Sequence, residues 1–217
     1  MEHLYNVILC KWKEISKRAV FSLIIPIISV IYPILNTPSV RSVVMHTFID
    51  DLIPFNAFFV VPYMLWYAYV TWFLLYLCII DKDNYFKLLS CLAIGMLISY
   101  GVFYFYPSHV PRPIIIKIDV FSQMVAFIYQ RDNPYNCFPS IHVLNSLLVA
   151  MYVNSSDKVS ITVKITCSVL ATLIIMSTLF IKQHYFVDAI GAIFLGCILF
   201  KLMNIVTTKQ IKNTRNL

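Results

Sequence analysis

RDNPYNCFPSIHV, from Arg131 to Val143, is a polar, proline-punctuated stretch that turns apolar at Ile141. A second polar island, STLFIKQHYFVD, runs from Ser177 to Asp188 and is again set against apolar sequence. Almost everything around the two is hydrophobic. Of 217 residues, 60% are hydrophobic and 12% charged, and the mean hydropathy is +0.79. A soluble domain of this size could not hide so much apolar side chain, so the bilayer is the solvent. Barrel strands would alternate polar and apolar residues over about ten positions. No such alternation is visible, and the chain has only four glycines. The expected fold is an all-α membrane protein, one domain over residues 1–217, whose helices bring the two islands together.

Hydropathy predicts six spans: Ala19–Leu35, Phe58–Ile80, Leu88–Tyr106, Ile141–Val153, Val159–Ile181 and Tyr185–Val206. The fourth is short for a bilayer core that takes about 20 helical residues. Pro26, Pro33 and Pro62 predict kinks or local breaks. Ahead of the first span, Leu4, Val7, Ile8, Trp12 and Ile15 share a helical face, with Lys11, Lys13, Lys17 and Arg18 near the other. This reads as an amphipathic interfacial helix over residues 1–18, or as an extension of the first span. The first apolar run holds two prolines and lacks a cleavage-like site after it, so a retained anchor is expected.

The net charge is +7. The basic residues gather at the termini rather than in a stripe interleaved with aromatics, which argues for membrane orientation and against nucleic acid. Lys11, Lys13, Lys17 and Arg18 precede the first span, and Lys209, Lys212 and Arg215 follow the last. With an even number of spans, both termini are then cytoplasmic. Both islands fall on the extracytoplasmic face by parity, and the plasma membrane is the expected location. The outer loop 107–140 carries Ile114, Ile115, Ile116, Ile118, Phe121, Val125 and Ile128, which predict an interfacial or re-entrant helix over the site. The six cysteines (Cys10, Cys78, Cys91, Cys137, Cys167, Cys197) show no metal or disulfide spacing.

His184 and Asp188 are four residues apart at a helix start, so they share a face. A carboxylate on one imidazole nitrogen leaves the other free as nucleophile or base. The alternative is an interfacial ion pair. His142 follows Pro139, Ser140 and Ile141 at a predicted helix N-terminus, where free N–H groups and the dipole favour an anion. A second imidazole there suits a general acid for a leaving-group oxygen. Arg112 and Lys182 add cations on the same face, and Ser140 a hydroxyl. Stabilising charge on equatorial oxygens is what phosphoryl transfer needs. The outer acids Asp50, Asp51, Asp119, Asp132 and Asp188 lack metal-like spacing, with Asp50 and Asp51 read as solvated. No metal and no cofactor are expected.

This combination resembles the integral-membrane branch of the type-2 phosphatidic acid phosphatase and vanadium haloperoxidase superfamily. That family carries K-x6-R-P, P-S-G-H and S-R-x5-H-x3-D. Here Pro139-Ser140-Ile141-His142 matches the second motif with Ile for Gly. Ser177, His184 and Asp188 match the third with its spacing intact, and Arg112-Pro113 matches the end of the first. The motif region spans residues 106–191. The resemblance implies that His184 is the nucleophile forming a phosphohistidine and that Asp188 orients it. His142 would be the leaving-group acid, with Arg112 and Ser140 binding phosphate. Phe105 and Thr178 stand where the family has a lysine and an arginine, so Lys182, with help from Arg131, is the candidate replacement. His109 is read as a loop residue.

The motif text is nearest to the inositol phosphorylceramide synthase-like branch, which transfers a phospho-headgroup to an alcohol. The leading expectation is a lipid phosphatase acting on a phosphomonoester or diphosphate, of the phosphatidate or polyprenyl diphosphate type. A headgroup transferase and a non-catalytic membrane protein or transporter are the alternatives.

Overall fold

The computed structural model describes residues 2–116 and 119–215, and side chains over 11–116 and 119–208. Residue Ile118 and the side chains of Leu4, Val7, Ile8, Cys10, Lys209, Lys212 and Arg215 lie outside the described residues. The amphipathic face expected of residues 1–18 is therefore described only from Lys11 onward.

Each long apolar run folds as a helix because the bilayer offers no partner for backbone N–H and C=O groups except the helix itself. α1 (Glu2–Val20), α2 (Ile24–Ser29) and α3 (Ile31–Leu35) form one rod, joined through a 3-10 turn at Phe21–Leu23. Pro26 and Pro33 have no N–H to give the carbonyls four residues earlier, Ser22 and Ser29. Those are the places where α-helix gives way, at Phe21–Leu23 and at Val30. Pro62 makes no such break. It falls in the first turn of α5 (Val60–Ile80), where N–H groups are unpaired in any case. A short α4 (Phe48–Leu52) precedes α5.

α6 runs over Lys82–Phe105, starting several residues before the expected Leu88. Asp81 is the reason. It ends α5, and its carboxylate accepts the Asn84 N–H at the start of α6. The outer loop yields α7 (Val120–Arg131), capped by Asp119, whereas Ile114 to Ile116 stay outside any helix and Ile114 and Ile116 are exposed. α8 (Ile141–Ser155), α9 (Ile161–Phe180) and α10 (Phe186–Arg215) complete the fold. The described residues contain only isolated β-bridges, Val43 to Ser108 and His109 to Tyr135.

Five segments are long and apolar enough to cross a membrane: Lys11–Leu35, Ala57–Ile80, Lys82–Phe105, Ile161–Phe180 and Phe186–Thr208. The expected sixth, α8, has 15 residues. Its rise of roughly 22 Å falls short of a ~30 Å hydrocarbon core. α8 is the central helix, and it carries the chain from the islands to the Asp81 end of the bundle. It packs against α5, α6, α9 and α10, and Val143, Leu144, Leu148, Val149, Tyr152 and Val153 are fully buried along it. Gly95 lets α6 approach closely, since a Cβ there would meet Leu144 at 2.9 Å and Leu199 at 3.1 Å.

The end of the bundle remote from the islands is tied at Asp81. Ser156 Oγ donates to its carboxylate at 2.6 Å, and Lys158 lies 3.6 Å away. Burial alone would raise this carboxyl's pKa, but the Ser156 and Asn84 hydrogen bonds and Lys158 outweigh it and hold it below the usual range.

Candidate active site

α9 stops at Phe180, and the chain must reverse within a few residues to start α10. Lys182 takes a left-handed backbone, φ 53°, just past the helix end. The Thr178 carbonyl then accepts both the Gln183 and His184 N–H groups, at 3.0 and 3.1 Å. This reversal fixes the backbone that carries His184. The first N–H groups beyond it meet carboxylates. Tyr185 N–H donates to Asp188 Oδ2 at 2.8 Å, and Phe186 N–H donates to Asp50 Oδ1 at 2.7 Å.

Asp50 is therefore not solvated, as its loop position suggested, but 5% exposed. Its other oxygen closes a capping box with Thr47. Asp51 is exposed and pairs with His46 at 2.9 Å.

His184 Nδ1 lies 3.4 Å from Asp188 Oδ2, and the Asp188 side chain is almost wholly enclosed. The second island's partner comes from the N-terminus of α8. Ser108 Oγ accepts the Cys137 and Phe138 N–H groups, at 3.0 and 2.9 Å, and shapes the turn into α8. Ser140 caps that helix, accepting the Val143 N–H, while its own N–H donates to the Asp188 carbonyl at 3.1 Å. His142 follows on the first turn, stacked on Tyr63 at 4.6 Å and tilted against Trp66 at 4.3 Å. The His142 and His184 ring centroids are 6.0 Å apart.

Two cavities meet at His142. The smaller, about 190 Å³, is lined by His142 and His184 with Trp66, Tyr67, Tyr100 and Asn136 among others. The larger, about 450 Å³, shares His142, Tyr32, Pro33 and Tyr67 and adds Arg131, Asp132 and Asn36.

Arg112 is half-buried and folded back over the turn. It donates to the Tyr129 and Asp132 carbonyls and to Gln183 Oε1 at 2.6 Å, and it lies over the Tyr129 ring. That bond orients the Gln183 amide, so its Nε2 is a donor. Arg112 Nε and Gln183 Nε2 are both buried without partners among the described residues. Gln183 adjoins His184 in sequence and Arg112 bonds to Gln183, but neither residue lines the two cavities at His142.

The remaining candidates separate. Lys182 donates its ammonium to the Asp50 and Ile53 carbonyls, at 2.8 and 2.5 Å, so it anchors the 47–53 turn. Ser177 is fully buried and bonds back to the Ile174 carbonyl. Arg131 is exposed, lies over Phe127, and lines the larger cavity with His142. His109 packs against Tyr135.

Sequence reasoning missed Gln183, Asn36 and Asp132 as parts of this region. Gln183 stands next to His184 and could have been flagged by adjacency. Asn36 gave no signal, since its partner Asp132 is far along the chain.

Cys137, His184 and Asp188 each offer a ligand atom, all within 4.8 Å of one another, the one such trio among the described residues. The fit to a metal is poor. Burial, with Asp188 and Asp132 nearby, pushes the Cys137 thiol well above its usual range, and its S–H donates to the Pro134 carbonyl. Asp188 is already committed to Tyr185 and His184.

A family model described as the PAP2 superfamily matches residues 20–202. The chain belongs to the PAP2 superfamily. That match runs from the end of α1 to residue 202 within α10, and hence covers every candidate residue above. PAP2 membership points to phosphoesterase chemistry in a protein whose helices span a membrane. No curated protein and no solved structure matches the chain.

Proposed function

We propose that this PAP2 member is a metal-independent membrane phosphatase that hydrolyses a lipid phosphomonoester or diphosphate through a phosphohistidine on His184. The observation that carries the reading is the pair of imidazoles facing each other at 6.0 Å, one of them fixed by a buried carboxylate. Asp188 engages Nδ1, so Nε2 of His184 is the free nitrogen and attacks phosphorus. Burial, with His184 nearby, pulls the His142 pKa down to about 3, so this neutral imidazole relays the substrate phosphate's own proton to the departing lipid oxygen and later takes one from the attacking water. Arg112 and Gln183 supply the unpaired donors for charge on the equatorial oxygens, and the capped start of α8 adds its dipole. Ser140 holds α8 against Asp188 through its backbone, which makes it a positioning residue in this scheme.

In this reading the site faces the extracytoplasmic side of the plasma membrane, with both termini in the cytoplasm. The phosphate lies at bilayer-interface depth, where a lipid headgroup sits. Release of inorganic phosphate from phosphatidate or a polyprenyl diphosphate, in EDTA, by wild type and not by His184→Ala, is the expected result. Vanadate should inhibit as a trigonal-bipyramidal mimic. Activity lost in EDTA and restored by one divalent ion would refute the metal-free scheme. A His184→Ala protein that merely loses stability while wild type shows no turnover would favour a non-catalytic role.

A second reading, transfer of a phospho-headgroup to an alcohol, is favoured by the larger cavity beyond His142, which has more room than a water nucleophile requires.

A further inference from the structure

The two imidazoles of the site are held in different ways. His184 has its Nδ1 engaged by the Asp188 carboxylate. The His142 ring takes part in no hydrogen bond among the described residues, and what touches it is aromatic. Tyr63 lies within 25° of parallel to it, ring centroids 4.6 Å apart, and Trp66 sits at 4.3 Å with a tilt of 44°. Among the described residues each of these two rings contacts His142 and neither contacts the other, so the imidazole lies between them.

Both rings come from one helix. Tyr63 and Trp66 are three residues apart on α5 and share a face. That face is anchored at two levels. Tyr63 belongs to a small apolar cluster with Val60, Val125, Ile128 and Ile181, whereas Trp66 packs against the central core. The Tyr63 hydroxyl bonds to nothing among the described residues, and Trp66 Nε1 is buried there without a partner. The rings therefore act on His142 through ring contact and not through polar atoms. Stacking sets the plane of an imidazole but does not name which nitrogen carries the proton, as a hydrogen bond would.

We propose that Tyr63 and Trp66 are positioning residues that hold His142 by its ring faces, so that its plane is fixed while both nitrogens stay free to exchange protons. The proposal rests on reading His142 and His184 as the chemical centre. In the first half-reaction the phosphate O–H proton enters one His142 nitrogen and the N–H proton of the other passes to the lipid oxygen. The O–P bond to the lipid breaks as the bond from His184 Nε2 to phosphorus forms, and His142 is left in its opposite tautomer. In the second, water attacks phosphorus and the N–P bond breaks. A water proton enters the nitrogen just emptied, and the other nitrogen returns its proton to a phosphate oxygen. The first tautomer is restored without the ring turning over, a motion that the two flanking rings obstruct. Burial, with His184 nearby, keeps the ring neutral through the cycle.

The test uses the full-length chain in detergent with phosphatidate. Tyr63→Leu and Trp66→Leu remove the flanking rings and should lower kcat by about 10–100-fold with KM within about twofold of wild type. Tyr63→Phe and Trp66→Phe keep an aromatic face and should stay within about threefold of the wild-type kcat. If the leucine variants lose thermal midpoint but keep kcat per folded protein, the rings only pack the core and the proposal falls. It falls equally if a phenylalanine variant loses as much as its leucine counterpart.

A second measurement is independent of turnover. In protein carrying isotope-labelled histidine, the His142 signals are those lost in His142→Gln. Their two ring nitrogens should be averaged toward a common shift by tautomer exchange, whereas those of His184 stay distinct. The His142 ring protons should lie upfield under the neighbouring ring currents, and should move downfield in Tyr63→Leu but not in Tyr63→Phe. Both signatures in a protein that releases no phosphate would leave the clamp standing and remove the phosphatase reading. Phosphate release with His142 nitrogens as distinct as those of His184 would keep the phosphatase and overturn the proposal. Should the leucine variants fail to fold, the wild-type nitrogen spectrum decides alone.

Discussion

Asp188 serves two partners with one oxygen, the Tyr185 N–H at the start of α10 and the imidazole of His184. Asp188→Asn offers a single oxygen, and its amide hydrogens cannot hold the same tautomer. It should cut kcat by on the order of 10³–10⁴-fold and leave KM nearly unchanged, as steady-state kinetics on phosphatidate would show. Gln183→Leu removes a buried donor of the proposed phosphate cradle. KM should rise by roughly tenfold, and the vanadate Ki with it. Lys182 is expected to behave differently. Its ammonium holds two carbonyls of the 47–53 turn, so Lys182→Met should lower stability by about 1–3 kcal/mol in thermal unfolding. A tenfold rise in KM would instead return Lys182 to the phosphate site.

The His184–Asp188 pair was legible in the sequence because four-residue spacing at a helix start is a local fact. The direction of the Lys182 side chain was not. It depends on a left-handed turn and on carbonyls more than a hundred residues away. Asp50 was misread as solvated for the same reason, since its partner at Phe186 belongs to another part of the chain.

Among the elements, the approach of α10 to the turn before α8 couples the two islands most directly. A Cβ on Gly191 would lie 2.3 Å from the Phe138 ring. Gly191→Ala must therefore displace Phe138, and with it the Pro139–His142 turn, for about 1–3 kcal/mol of overpacking. The expected signature is a fall in kcat larger than the fall in thermal midpoint would suggest, since His142 moves relative to His184.

At the other end, Asp81 caps α6 and accepts from Ser156. Asp81→Ala should cost about 1–2 kcal/mol at neutral pH. The folded-state pKa of this carboxyl is lowered, so its contribution is present above the unfolded value near ~4 and is lost as pH falls through the folded value. The stability gap between wild type and Asp81→Ala should close in acid. A gap that widened there would contradict the assignment. The helices themselves were legible from hydropathy. Their exact ends were not, because Asp81 joins two spans without a loop and Pro62 falls where a proline costs nothing.

For the whole molecule, the two islands do meet; parity in the expected six-span layout asked only that they share a face. Their meeting does not depend on α8 crossing the bilayer, because the contact is made at one end of a central helix enclosed by four others. The proposed orientation can be read from outside. Val40 is fully exposed in the segment between α3 and α4. A Val40→Cys protein in intact cells should react with a membrane-impermeant maleimide well above the wild type, in which Cys78, Cys91, Cys137 and Cys167 are buried and the exposed Cys197 lies within the apolar span Phe186–Thr208. Labelling only after the cells are opened would invert the topology.

The first span adds a mechanical consequence. Among its described side chains only Ile15 and Ile28 are buried, yet both of its ends are pinned. Arg18 and Ser22 are tied to Cys78 and Tyr85 at one end, and Tyr32 and Asn36 to Asp132 at the other. The Phe21–Leu23 break falls at the first of these pegs, and the Val30 break lies between the two. A jointed strut fixed top and bottom can neither slide nor tilt, and its remaining freedom is to bow at mid-height.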